Sequence, residues 1–157
     1  MADYFFDTSA LVKRHVNEIG SEWVRSLIRA KANHRIYIAR ITTVEVFAAI
    51  TRRQHGGDLS AAQAGAILGH FRRQLAQRYR IIELTPAVFD DAMLKARKRR
   101  LRAYDAVQLA AVLEIRQQHQ EVGWGPVTLI SADQALNTAA MAEGLTVDDP
   151  RSHPSTG

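Results

Sequence analysis

Tyr4-Phe5-Phe6-Asp7-Thr8-Ser9-Ala10-Leu11-Val12-Lys13 is the stretch on which the reading of this chain turns. An apolar run ends abruptly in a carboxylate, two hydroxyls follow, and an apolar-periodic segment begins. The pattern predicts a short buried strand feeding directly into a helix over residues 10–16. Asp7 then stands where the strand ends. In open α/β sheets, ligands bind at the edge outside the carboxyl ends of the strands. Other acids that follow strands would reach the same edge.

Working outward, strand-like and helix-like segments alternate. Arg35-Ile36-Tyr37-Ile38-Ala39 is rich in β-branched and aromatic residues. Ile81-Ile82-Glu83-Leu84, Val127-Thr128-Leu129-Ile130 and Leu145-Thr146-Val147 read as further strands. Helices are expected after a Ser21 cap, over 42–53, from a Ser60 cap to about 79, from Thr85-Pro86 onward, over 103–120 and over 133–143. His55-Gly56-Gly57-Asp58 and Gly123-Trp124-Gly125-Pro126 read as turns. The strands are short and apolar without clean alternation, as when both faces are covered. Together these features predict an α/β fold: a three-layer α/β/α sandwich around a mainly parallel sheet of about five strands. At 157 residues one domain over 1–150 is expected, with the polar 151–157 as a flexible C-terminal tail.

Composition narrows the chemistry. The chain has no cysteine, which excludes disulfides and thiolate metal sites. Its histidines, at 15, 34, 55, 70, 119 and 153, show no zinc-ligand spacing. Neither a phosphate-binding P-loop nor a dinucleotide fingerprint is present. The N-terminus lacks a basic-then-apolar leader, and no apolar run approaches the roughly 18 residues of a membrane span. A cytoplasmic location with no membrane partner is expected. The net charge of +5 suits a polyanionic partner as well as it suits an ordinary mildly basic surface.

Four acids fit the edge, and each has a structural explanation of its own. Asp7 can cap the helix that follows it. Glu45 completes a capping-box pattern with Thr42. Asp105 opens a markedly apolar helix, where it complements the helix dipole by roughly 0.3–1 kcal/mol. Asp133 lies in the first turn of a helix that Ser131 can cap, with Gln134 completing the box. The joint pattern is harder to explain structurally, because three of the four acids follow strands and the fourth opens a buried helix. Converging carboxylates raise one another's pKa or hold a cation. Oxygen-only ligands select a hard ion, Mg²⁺ or Mn²⁺. Thr8, Ser9 and Ser131 are placed to orient the carboxylates.

The stretch around Asp7, Thr43-Val44-Glu45, Leu101-Arg102-Ala103-Tyr104-Asp105-Ala106-Val107-Gln108-Leu109-Ala110 and Ser131-Ala132-Asp133-Gln134-Ala135-Leu136 together resemble the blocks of the PIN-domain ribonucleases. The likeness is to VapC-type toxins of type II toxin–antitoxin modules, and it runs from about Asp3 to Asp149, in family order. Asp7, Glu45, Asp105 and Asp133 fall on the family's acidic quartet, with Thr8 or Ser9 at its active-site hydroxyl. The resemblance implies a PIN-like fold and a metal-dependent endoribonuclease whose products carry 5′-phosphate and 3′-hydroxyl ends. It further implies a homodimer and a cognate antitoxin, VapB-like and a small DNA-binding protein. A non-catalytic RNA-binding or scaffolding PIN domain is the alternative. A receiver-like phosphoacceptor would need an adjacent acidic pair, where this chain has Thr8-Ser9.

Lys98, Arg99, Arg100 and Arg102 lie just before Asp105 and are candidates for gripping RNA phosphates, against the simpler reading of a solvated loop. The stripe Ala64-Ile67-Leu68-Phe71-Leu75 is expected to pack a helical hairpin.

Overall fold

The computed structural model describes residues 1–155; Thr156 and Gly157, the end of the expected tail, lie outside the described residues. Five short strands carry the architecture: β1 (Asp3–Phe6), β2 (Arg35–Ala39), β3 (Tyr79–Ile82), β4 (Val127–Ile130) and β5 (Thr146–Asp148). Around them run α1 (Thr8–Val12), α2 (Ser21–Ile28), α3 (Arg40–His55), α4 (Ala61–Gln77), α5 (Pro86–Arg99), α6 (Ala103–Glu121) and α7 (Gln134–Ala142). The strands pair in the order β3-β2-β1-β4-β5, all parallel. This is the expected α/β/α sandwich.

Successive strand residues point to opposite faces, and both faces are buried. Phe5, Tyr37 and Leu129 enter one core, packed with Leu109, Val112, Ile115 and Leu136 of α6 and α7. Phe6, Ile36, Ile38 and Ile130 enter the other, beneath Leu11, Val24, Val46, Ile50 and Phe71 of α1–α4. This is why no polar–apolar alternation is legible in the strands. Helix α5 lies on α6 through Val88, Ala92, Ala106 and Ala110. The inner stripe of α4 is core, as expected: Phe71 is fully buried and packs against Phe47 of α3. No helix among the described residues is long and apolar enough to cross a membrane.

Several boundaries differ from expectation for local reasons. Helix α1 stops at Val12, and Lys13 and Arg14 tighten into turn bonds to the Ala10 and Leu11 carbonyls. Ser21 is the first residue of α2 rather than its cap. Gly20 is the cap, with φ +88, and a Cβ there would stand 2.2 Å from the Pro150 carbonyl oxygen. The Ser21 hydroxyl instead donates to the Val16 carbonyl at 2.7 Å. β3 lies two residues earlier than 81–84, because Tyr79 is the residue that pairs with Ile36 and packs inward. Ser60 caps α4 as expected and forms a capping box with Gln63, and α5 starts at Thr85-Pro86 as expected, with Thr85 accepting from Val88 N–H. The expected tail begins with ordered structure: Pro150 is buried, Arg151 and Ser152 are exposed, and His153 is half-buried. Pro150–Ser152 makes a 3-10 turn, and the His153 ring stacks on Trp23 at 3.9 Å.

Candidate active site at the carboxyl edge of the sheet

Chain direction diverges between β1 and β4. From β1 the chain proceeds to β2 and β3 on one side, then crosses to β4 and β5 on the other. That switch point opens a crevice at the carboxyl edge. Asp7 and Ser131 are the residues that leave the sheet there. Asp7 N–H still bonds the Ile130 carbonyl at 3.2 Å, which holds the two exits side by side.

The Asp7 carboxylate is 4% exposed. Its Oδ1 accepts from the Ala10 N–H at 2.9 Å, so it does cap α1. Ser9 Oγ lies 2.7 and 2.9 Å from the two carboxylate oxygens, and Ser131 Oγ donates to Oδ2 at 2.8 Å. The same hydroxyls accept from the chain leaving β4: Ala132 N–H donates to Ser9 at 3.0 Å and Asp133 N–H to Ser131 at 3.1 Å. Burial pushes the Asp7 carboxyl from 3.8 up to about 7, against the Ser9, Ala10 and Ser131 hydrogen bonds, and the Asp133 charge adds to the rise. No basic side chain counts among its charge neighbours. Lys13 is buried and pairs instead with Glu18 at 3.0 Å.

Glu45 is not part of a capping box. Helix α3 begins at Arg40 after Ala39, so Thr42 is inside the helix and Glu45 in its second turn. Glu45 Oε1 accepts from Thr8 Oγ1 at 2.8 Å and from Gln108 Nε2 at 3.3 Å. Gln108 Nε2 also donates to buried Thr42 Oγ1 at 2.8 Å. α1, α3 and α6 are thereby tied together around one acid.

Asp105 sits in the first turn of α6, after Arg102, which makes no side-chain cap. It is half-buried. Its carboxyl is raised from 3.8 to about 6 by desolvation, then by the charges of Asp133 and Glu45, with Arg102 opposing. Asp133, not Ser131, caps α7: its Oδ1 accepts from Leu136 N–H at 2.9 Å, and Gln134 completes no box. Ser131 is free of capping because it serves Asp7, and its own carbonyl takes the Asn137 amide at 2.8 Å. The charge of Asp133 thus reaches both Asp7 and Asp105, and that of Glu45 reaches Asp105, at one edge of the sheet.

Lys98 and Arg99 both reach Glu143, at 3.4 and 3.1 Å. Arg100 closes α5 with φ 55 and is exposed, and exposed Arg102 stands before Asp105. Gln108 and Asn137 were not singled out from the sequence. Each is a polar residue set among apolar ones in its helix, three or four positions after an acid, and that is the signal they carry.

The donors here are oxygens only, the set a hard divalent cation takes. Among the described residues no three His, Cys, Asp or Glu side chains are gathered tightly enough to enclose an ion directly. Mg²⁺ keeps several waters, so a loose set of carboxylates still fits it.

The PIN domain family model matches residues 4–140, and the chain belongs to that family. No curated protein sequence matches it. PAE2754 from Pyrobaculum aerophilum has a similar structure, with a TM-score of 0.63 at 20% identity over 96% of this chain and 91% of that one. VapBC2 from Rickettsia felis, bound to a DNA fragment from its promoter, gives 0.60 at 15% identity over 93% and 97%. VapC20 from Mycobacterium tuberculosis, a toxin that cleaves the sarcin–ricin loop, gives 0.58 at 15% identity over 87% and 95%. At these identities the likeness is one of fold.

Proposed function

We propose that this protein is a Mg²⁺- or Mn²⁺-dependent endoribonuclease, the toxin of a toxin–antitoxin pair acting in the cytoplasm. One observation carries the reading: Asp7 is held buried and without a basic partner where Glu45, Asp105 and Asp133 also arrive. Membership of the PIN family and the fold shared with VapBC2 and VapC20 support it. Asp7, Glu45, Asp105 and Asp133 would hold the ion, directly or through water. A divalent ion at such a site activates water and offsets charge at the scissile phosphate.

The chain's own groups set the geometry. Ser9 and Ser131 fix both oxygens of Asp7, and Thr8 and Gln108 fix Glu45. Arg100 and Arg102 are the cations of the basic run left to meet RNA phosphates, because Lys98 and Arg99 are engaged by Glu143. The partners of this reading are an RNA substrate, a second copy of the chain and a VapB-like, DNA-binding antitoxin. The exposed Arg100 and Arg102 beside this edge also suit a PIN domain that binds RNA without cutting it.

The test incubates antitoxin-free protein with structured RNA in Mn²⁺ or in EDTA, beside Asp7→Asn and Asp105→Asn. Cleavage in Mn²⁺ that is lost in EDTA and in both variants is the expected result. Cleavage that survives either treatment refutes the metal-nuclease reading. Binding without cleavage selects the alternative.

A further inference from the structure

Away from the acid edge, toward the amino end of β3, the chain gathers a second cluster, and its charges are of the opposite sign. Arg14 and His15 follow α1, Arg25 lies on α2, His70 and Arg73 on α4, and Arg78 and Tyr79 stand at the start of β3. The aromatic rings among them pack together, and the charges of Arg14 and Arg73 both act on His70. The His15 ring meets His70 and Phe71 edge-on, each at 5.6 Å, and Phe71 meets Tyr79 at 6.2 Å. Arg25 Nε donates to the Arg14 carbonyl at 3.1 Å. Arg78 reaches from β3 to the Ile28 and His34 carbonyls at 2.7 and 2.9 Å.

Two observations mark this cluster as unfinished. The first is hydrogen bonding. Six buried side-chain polar atoms lack a partner among the described residues, and four fall here: Arg14 Nε, His15 Nε2, Arg78 Nη2 and Tyr79 Oη. Buried donors without acceptors are costly and rare. The second is charge. His15 is held down at about 4 by burial and then by His70, Arg14 and Arg25, all cationic or able to be. His70 is lowered by burial, Arg14 and Arg73. Arg14 and Arg78 are the charges that act on Tyr79. No carboxylate among the described residues acts on His15, His70 or Tyr79; Glu18 and Asp58 line a cavity that His15 also lines, together with Arg53. Glu18 is already engaged by Lys13 and Arg53, at 3.0 and 2.8 Å.

We propose that Arg14, His70, Arg73, Arg78 and Tyr79 form a binding site for a phosphate-type oxyanion. Guanidinium groups present paired N–H donors that match a tetrahedral oxyanion, and a doubly charged guest offsets several cations at once. Arg73 is exposed, while Arg14, His70 and Arg78 are half-buried, so the guest enters from the α4 side. The site lies apart from the four acids and does not depend on the nuclease reading.

The test uses the full chain in EDTA. Inorganic phosphate is titrated against chloride at fixed ionic strength, by calorimetry and by proton NMR of the histidine rings. Saturable binding with a dissociation constant at or below about 1 mM is expected. His15 and His70 should then titrate at higher pH, because a nearby anion favours the imidazolium. Arg14→Gln and Arg73→Gln should each weaken phosphate about tenfold or more. Arg73 is exposed, so its variant stays informative if Arg14→Gln misfolds. Short single-stranded RNA separates the sources of phosphate. If Arg73→Gln also weakens RNA and lowers the salt slope by about 1, the guest is the nucleic-acid backbone; unchanged RNA affinity assigns a free anion. Phosphate binding unaffected by either variant overturns the proposal, as does failure of both phosphate and RNA to move the two histidines. An acidic peptide that moves them where phosphate and RNA do not overturns it in favour of a protein partner.

Discussion

Asp7→Asn should stabilise the metal-free protein relative to wild type, by an amount that grows as pH rises from about 4 to about 7. The unfolded chain releases the Asp7 proton near 3.8, and the folded chain keeps it to about 7. Between those values the unfolded state binds fewer protons, so rising pH favours unfolding. The stability at stake is fully present below the lower value and lost once pH has passed the upper one. At 1.36 kcal/mol per pH unit the difference comes to about 4 kcal/mol. For a chain of this length that is on the order of 10 °C in Tm. Asp105 shifts the same way, but it is half-exposed to solvent screening and contributes less.

Wild type alone would not reveal this slope cleanly. His15, lowered from 6.5 to about 4, acts in the opposite sense, because the unfolded histidine takes up a proton that the folded one refuses. Stability from that group rises with pH over the same window. Comparing the variant with wild type at each pH cancels it. Asparagine offers one acceptor oxygen where aspartate offers two, so the Ser9 and Ser131 bonds are weakened at a pH-independent cost of about 1 kcal/mol. Only the change of the difference with pH is diagnostic. Thermal or urea melts of both proteins in EDTA, from pH 4.5 to 8, measure it. Parallel profiles would show that Asp7 ionises normally and would refute the buried-carboxylate argument. Under the proposed function, Mg²⁺ or Mn²⁺ should narrow the gap above pH 7 by binding the ionised wild type.

Three further perturbations follow. Ser131→Ala removes the donor to Asp7 and the acceptor for Asp133 N–H, so it should cost about 1–3 kcal/mol in urea melts. It should also move the pH optimum of cleavage upward, since the lost bond favoured the Asp7 anion. Gln108→Met keeps the volume but frees Glu45 and Thr42; cleavage should fall roughly 10–100-fold with little change in Tm, read from initial rates beside melts. Gly20→Ala forces a Cβ against the Pro150 carbonyl at φ +88, so it should destabilise by about 2 kcal/mol or more and release the 3-10 turn, visible as lost hydrogen-exchange protection around 150–153.

Much of the fold was legible because the physics is local. β2 and β4 were read at their true limits, where β-branched and aromatic runs are bounded by polar residues. Ser60 and Thr85 announced their helices because a cap is a short-range bond. The misreadings came from competition between groups that lie far apart in sequence. Thr42 looks like a cap until Gln108, 66 positions later, claims its hydroxyl. Ser131 looks like a cap until its hydroxyl is seen to donate to Asp7, 124 positions earlier. The packed turn after Asp149 was hidden because Trp23 and Gly20, the residues that hold it, belong to α2 and its approach.

Capping alone does not account for Asp7. Asparagine caps a helix as well as aspartate does, and it would do so here without a buried charge. The helix concerned is only five residues long, and its N-terminus gains little from an anion at that length. Yet the carboxylate sits between two serines that fix both of its oxygens, and those serines also stitch together the exits of β1 and β4. Asp133 differs: it is partly exposed and caps α7, and its charge adds to the strain on Asp7 and Asp105. A fold that only needed caps at this edge would separate the acids or neutralise them with nearby arginines. This one keeps them together at the switch point of the sheet and directs Lys13 to Glu18 instead. Under the proposed function a cation from solution balances the group, and the pH-dependent gap between wild type and Asp7→Asn, with and without that cation, measures how strongly the site calls for one.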